Sequence, residues 1–335
     1  MLKIVEARGS YRECGFAHGA QCKESIAYRL EREIPASTVD EHRMLLLDIH
    51  MRTSAQYPEF VQELEGIAAG SECDYWRLLL LNTPEITERS AGCTSIAVTK
   101  KDEIYLVHNE DGEGDERVED CVLLHYLLPD VSFYAFTYAG EIAGGSYSWN
   151  SHGLYLSVNY LTPLGTDLTS GVSRNFVSRK IIESSDIEAA IRYLNGGGDM
   201  SGYHYYIGQG ASIYSIENYK DAVSAREIVG IDVHSNHYLH PQFAGRIQPS
   251  KHSDTRLQRA QELVGTDADP LSILGDRAHA PLSICTNPNE ALHTISTIGF
   301  YPRDNAIILY EPGTLAREAR FSLNEDPGTV NTAAL

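Results

Sequence analysis

Up to about Gly92 the apolar residues of this chain recur at helical spacing; beyond it they gather into short runs rich in β-branched and aromatic residues. That change of period constrains the fold more than any composition figure. Phe60, Val61, Leu64, Ile67 and Ala68 form one helical stripe that ends at Gly70, and Pro58 suits its first turn. Residues 23–33 and 40–52 carry weaker helical patterns. After the change, residues 104–107, 131–138, 153–159, 203–207 and 212–216 read as strands bounded by turn formers. Helical patterns return at 175–183, 187–194 and 254–263, and strands at 294–301 and 305–310 around a Pro-Arg-Asp turn. The order of helices, strands, helices and strands, with no repeat and no linker, predicts one α+β domain of layered sheets with helices packed outside.

The chain has 335 residues, 42% hydrophobic and 22% charged, which suits a soluble globular protein with one large layered core. Against 46 acidic residues stand 27 lysines and arginines, a formal charge of -19 that repels phosphate backbones and anionic lipid surfaces. Nucleic acid and membranes are therefore not expected partners. The densest apolar run extends only from Leu78 to Leu81, far short of the roughly 18 residues a membrane span needs. Met1 to Glu6 contain no long apolar run of the kind a signal peptide uses, so a cytoplasmic location is expected. Six cysteines, none arranged as Cys-x-x-Cys, are too sparse for a disulfide scaffold or a structural zinc site. Gly196-Gly197-Gly198 is not followed by Lys-Ser/Thr and is no phosphate cradle. No cofactor is expected.

The most informative stretch joins the helical to the strand section: Glu88-Arg89-Ser90-Ala91-Gly92-Cys93-Thr94-Ser95. Taken alone, Gly92-Cys93 is an ordinary dipeptide, and a free cysteine is usually a small core hydrophobe. Other short motifs accompany it in order. Gly15-Phe16-Ala17-His18-Gly19 comes first, then 58–68 and Leu80-Leu81-Asn82-Thr83-Pro84-Glu85. Asn109-Glu110-Asp111, Trp149-Asn150-Ser151-His152-Gly153, Ser157-Val158-Asn159 and His234-Ser235-Asn236-His237 follow Cys93. As an ordered set they resemble the acyl-coenzyme A:6-aminopenicillanic acid acyltransferase family, a branch of the N-terminal-nucleophile (Ntn) hydrolases.

The resemblance implies a four-layer αββα sandwich, made as a precursor that cuts itself between Gly92 and Cys93. Residues 1–92 and 93–335 then become two chains that stay together as a heterodimer, since the helices of the first have apolar faces to cover; a higher oligomer is left open. A thiol held against the preceding carbonyl can replace the peptide bond by a thioester, which water hydrolyses to free the α-amino group of Cys93. Such an amine titrates near pH 8 in model compounds and can serve as the general base for its own thiol. By the same resemblance Asp111 supports that amino group and Asn236 donates to the developing oxyanion. The substrate implied is a small linear amide: an N-acyl amino acid, a peptide-like amide or an acylated amine. Glu110 departs from the family pattern, which often has an aromatic residue there, and changes the charge beside the site.

Rival readings remain at this stage. Cys93 can act with a separate histidine, such as His125 or His204, in an uncut chain; a non-catalytic binding protein of the same fold is the other. His234, His237 and His240 invite a metal reading, but no carboxylate or cysteine stands at a familiar ligand spacing, and no metal is expected. Asn109, Asn150, Arg174 and Arg256 are candidate substrate contacts, the arginines because their planar fork suits a carboxylate. The plainer reading of Arg174, Arg179 and Arg256 is a surface ion pair.

Overall fold

The computed structural model describes residues 2–87, 92–113, 116–161, 166, 168–246, 250–288 and 290–323. Strand β1 (Lys3–Arg8) leads into helices α1 (Tyr11–Gln21), α2 (Lys23–Glu33), α3 (Ala36–Glu41) and α4 (Arg43–Gln56). Helices α5 (Pro58–Ser71), α6 (Tyr75–Leu81) and the single turn α7 (Pro84–Thr87) complete this section. Strands β2 (Gly92–Lys100), β3 (Glu103–Glu113), β4 (Cys121–Leu127), β5 (Ser132–Tyr138), β6 (Ser148–Asn150) and β7 (Leu154–Tyr160) follow. Helices α8 (Arg174–Ile181) and α9 (Ile187–Gly196) precede β8 (Tyr203–Gln209), β9 (Ser212–Tyr219), β10 (Ala222–Glu227) and β11 (Gly230–His234). The last elements are α10 (Lys251–Val264), α11 (Pro270–Ile273), β12 (Leu292–Tyr301), β13 (Ala306–Tyr310) and β14 (Arg317–Phe321).

The strands form an eight-stranded sheet, ordered β1-β4-β5-β6-β7-β8-β9-β10, and a six-stranded sheet, ordered β11-β2-β3-β12-β13-β14. Leu123, Phe136, Tyr155 and Tyr206 of the larger sheet pack against Ala97, Leu106, Ile298 and Phe300 of the smaller one in a single buried cluster. On the outer face of the larger sheet, Ile26, Phe60, Leu64, Ile67 and Leu78 join Phe176 and Leu194 over Val122, Leu124 and Tyr205. On the outer face of the smaller sheet, Leu257, Ala260 and Ile273 cover Ile96, Val98 and Val107. The fold is thus the α+β, four-layer αββα sandwich.

The section before Gly92 is knitted into the rest. β1 pairs in parallel with β4, from Lys3 opposite Val122 to Arg8 opposite Leu127. Helix α1 lies so close to α5 that a Cβ at Gly15 or Gly66 would meet a backbone carbonyl oxygen at 2.0 or 2.2 Å, so glycine is required there. Beneath this pair, Arg179 forms a fully buried ion pair with Glu63 at 3.0 Å.

Candidate active site

The antiparallel β2–β3 pairing positions the site. Its register sets Cys93 opposite Glu110 and Gly92 opposite Asp111. A Cβ on Gly92 would lie 2.9 Å from Asp111 Oδ2, so only glycine lets this carboxylate sit against the backbone that precedes the cysteine. Asp111 is held from the other side by Thr294 of β12, whose hydroxyl donates to Oδ1 at 2.7 Å. Glu88 to Ala91, the approach to Cys93, lie outside the described residues.

Asn236 lies two residues past the end of β11, the neighbour of β2, and its side-chain oxygen accepts from the Cys93 backbone N–H at 2.9 Å. Arg256, on α10 across the outer face, donates to that same oxygen at 2.5 Å and to Thr94 Oγ1 at 2.8 Å. It also donates to the Cys93 carbonyl and lies 3.7 Å from Asp111 Oδ2. The Asn236 amide group donates to the Tyr160 carbonyl at 3.0 Å. Two donors on one oxygen and an acceptor on the nitrogen fix which way the amide faces. The sequence candidates Cys93, Asp111, Asn236 and Arg256 therefore meet in one place, all buried.

Burial, followed by the neighbouring carboxylates of Glu110 and Asp111, pushes the Cys93 thiol well above its ordinary range, against the opposing pull of the Tyr160 backbone N–H and Arg256. Burial also pushes the Asp111 carboxyl up to about 6, although Arg256 and Thr294 draw it down. The thiol at rest is therefore neutral and needs a base. It opens onto a cleft lined by Glu110, Tyr138, Ser146, Tyr160 and Tyr203 among others. Glu116 and Glu141 add two further carboxylates to that lining.

A histidine does lie beside the thiol, but neither of the two singled out from the sequence. Cys93 Sγ, a His108 ring nitrogen and a Glu110 carboxylate oxygen lie within 4.8 Å of one another. His125 instead bonds Glu6 at 3.0 Å and stacks on Tyr134, while His204 bonds Asn159 and Ser215 at 3.0 Å each and stacks on His234. The signal for His108 was available: it stands two residues before Glu110, on the same face of one strand. Thiol, imidazole and carboxylate are also a possible metal-ligand set. Here Glu110 bonds both the thiol and the imidazole, and Tyr138 and Ser146 donate to it besides. His234, His237 and His240 turn to different partners: Glu217, Ser253 and Ser215 respectively.

The other sequence candidates are structural pegs. Asn109 donates to the carbonyls of Leu274 and Ile284 and accepts from Thr297, all away from the cleft. Asn150 donates to Ile182 and Ser184 carbonyls and accepts from His152 and Leu154, closing the β6–β7 turn. Arg174 stacks on Tyr160 and Tyr203 behind the cleft wall and donates to the Leu161 carbonyl at 2.8 Å. The expectation of surface ion pairs for Arg174, Arg179 and Arg256 is corrected: all three are buried, because each guanidinium satisfies acceptors that helices and strands bring together inside.

The family model described as acyl-coenzyme A:6-aminopenicillanic acid acyl-transferase matches residues 98–315, more than half of the chain. The chain belongs to this family. An acyl-coenzyme A:6-aminopenicillanic-acid-acyltransferase, 40 kDa form, of Emericella nidulans is 25% identical over 317 residues, 88% of this chain and 87% of its own length. A beta-alanyl-dopamine/carcinine hydrolase of Drosophila melanogaster is 26% identical over 226 residues, 59% of this chain, and the match spans only 58% of that relative's length. A solved conjugated bile acid hydrolase from Clostridium perfringens covers 71% of this chain and 94% of its own, with TM-score 0.46 and 10% identity. No helix among the described residues is long and apolar enough to cross a membrane.

Proposed function

We propose that this family member is a cytoplasmic amidohydrolase that cuts itself before Cys93 and then uses Cys93 on linear amides. The observation that carries this reading is the convergence of Asn236, Arg256 and Asp111 on the backbone nitrogen, carbonyl and neighbouring glycine of Cys93. An ordinary cysteine nucleophile has no use for groups gathered around its own backbone nitrogen. A nucleophile whose nitrogen becomes a free amine does.

After the cut, the α-amine keeps its hydrogen bond to Asn236 and lies beside Asp111. Its neutral form, about half of the population near pH 8, takes the thiol proton as the sulfur adds to the substrate carbonyl. The amine then returns that proton to the leaving nitrogen. Collapse of the tetrahedral adduct leaves an acyl thioester on Cys93, and water or a second amine removes the acyl group. Water is always at hand, so hydrolysis is the main outcome. The two pieces remain a heterodimer because β1 and the helices before Gly92 are built into the larger sheet and its helix layer. The names of the two sequence relatives, one a hydrolase and one an acyltransferase, fit this chemistry.

Acid-quenched mass spectrometry during turnover of an acylated diamine tests the proposal. The expected result is a fragment 93–335 heavier by the acyl group, absent in Cys93→Ala. Equal amine release by wild type and Cys93→Ala, with no adduct, refutes it.

A further inference from the structure

The mature mechanism has a base that does not exist before the cut. In the continuous chain the Cys93 nitrogen is an amide whose hydrogen is given to Asn236, so it cannot take a proton from the thiol. Yet burial and two carboxylates keep that thiol protonated. Self-cutting therefore needs another proton acceptor.

We infer that Glu110 is the catalytic base of the self-cutting step and that His108 is its positioning residue; the inference rests on the self-cutting read above. Glu110 Oε2 lies 3.6 Å from Cys93 Sγ, within reach of an S–H donor. Asp111 is turned elsewhere, with Oδ1 bonded to Thr294 and Oδ2 against Gly92. Glu110 is held in one orientation by the Tyr138 hydroxyl on Oε1 at 2.9 Å and the Ser146 hydroxyl on Oε2 at 2.6 Å. His108 Nε2 lies 3.2 Å from the same Oε2, and its Nδ1 meets Ser95 Oγ at 2.8 Å. Two bare acceptors do not sit 3.2 Å apart, so a proton occupies the His108–Glu110 contact in every arrangement of the network. The thiol thus faces a carboxylate already coupled to an imidazole.

The step balances. The Cys93 thiol gives its proton to Glu110, and the sulfur adds to the Gly92 carbonyl carbon. The carbon–nitrogen bond breaks, Glu110 returns the proton to the Cys93 nitrogen, and a Gly92 thioester and a free amine result. Water then adds its hydroxyl to the Gly92 carbon and its remaining proton to the sulfur. Glu110 ends as it began, and the new amine is in place to act as the base for later turnovers.

The test follows cutting of the full chain after pulse-labelled cell-free synthesis, between pH 6 and 9, in wild type, Glu110→Gln, Glu110→Asp, His108→Gln and Cys93→Ala. Wild type is expected to cut and Cys93→Ala to stay whole. Glu110→Gln should cut at least about 100-fold more slowly, the usual weight of a general base. Glu110→Asp, which keeps the charge one methylene further back, should fall between. His108→Gln keeps an amide for Glu110 but not the imidazole, so it should displace the pH profile of cutting rather than lower it evenly, as a packing defect would. Glu110→Gln cutting at the wild-type rate overturns the inference and leaves the self-cutting read intact. If Glu110→Gln fails to fold, Glu110→Asp at the wild-type rate overturns it equally. A wild-type chain that never cuts removes both.

Discussion

The backbone N–H of Cys93 and the guanidinium of Arg256 donate to one and the same atom, the side-chain oxygen of Asn236. Asn236 therefore presents an acceptor toward Cys93, and its donor group toward the end of β7. Asn236→Asp keeps the acceptor and loses the donor; Asn236→Ala loses both. Self-cutting should survive in the aspartate variant and slow in the alanine variant. If the amide hydrogens serve the oxyanion during turnover, kcat/KM should fall about 10²–10³-fold in any enzyme recovered from either. Gel time courses of cutting, with steady-state amide hydrolysis, separate the two effects.

Arg256 spans the Cys93 carbonyl, Thr94 and Asn236 with a planar fork, which a lysine ammonium cannot reproduce. Arg256→Lys should keep the fold, with a melting temperature within a few degrees of wild type, and lower amide turnover by about 100-fold. Turnover at the wild-type level would show that charge alone, not the fork, is what the site uses.

How much of this was legible in the sequence depends on whether the signal was local. Cys93, Asp111 and Asn236 stand in dense polar motifs at strand ends, so a motif reading reaches them. His108 was missed because the apolar pattern of its strand stops at Val107, whereas β3 continues to Glu113 through a polar interior. There Ser95 bonds His108 on the neighbouring strand and Asn159 across in the larger sheet, and such polar layers erase the alternation that marks a strand. β4 was missed for the opposite reason: Cys121 to Tyr126 are buried on both faces and show no period at all. Arg256 reads as a surface helix residue in sequence, since nothing in helical spacing says that a charged side chain will find four acceptors below it. Asn109 and Asn150 belong to the same ordered set of motifs as Cys93, but their side chains tie down backbone carbonyls away from the cleft.

Asp111 makes the site costly in a pH-dependent way. Its carboxyl is pushed up to about 6 from an ordinary 3.8, so the folded chain holds its proton more tightly than the unfolded chain. The stabilising contribution is full below about pH 4 and is lost as pH rises through about 6. In a Cys93→Ala background that stays whole, Asp111→Asn should leave stability nearly unchanged at pH 4. At pH 7 it should raise stability by up to about 3 kcal/mol. Urea unfolding at the two pH values checks the sign; a stability loss at pH 7 would mean the ion pair with Arg256 outweighs burial.

Glu63 and Arg179 carry the helix layer's one fully buried ion pair among the described residues, at 3.0 Å and with both side chains 0% exposed. Arg179→Met leaves Glu63, already pushed up to about 7 by burial, without its cation. Unfolding free energy at pH 8 should fall by about 3–5 kcal/mol, and by less at pH 5, where Glu63 takes a proton. The double change Arg179→Met with Glu63→Gln should recover part of the loss.

Intact-mass spectrometry of the purified protein beside Cys93→Ala is the most direct test of the central claim. Self-cutting predicts two wild-type species, 1–92 and 93–335, meeting at Gly92/Cys93, and one full-length species in the variant. A single uncut chain in both contradicts it, and would leave Cys93 a conventional thiol whose base must be Glu110 with His108 rather than its own amine.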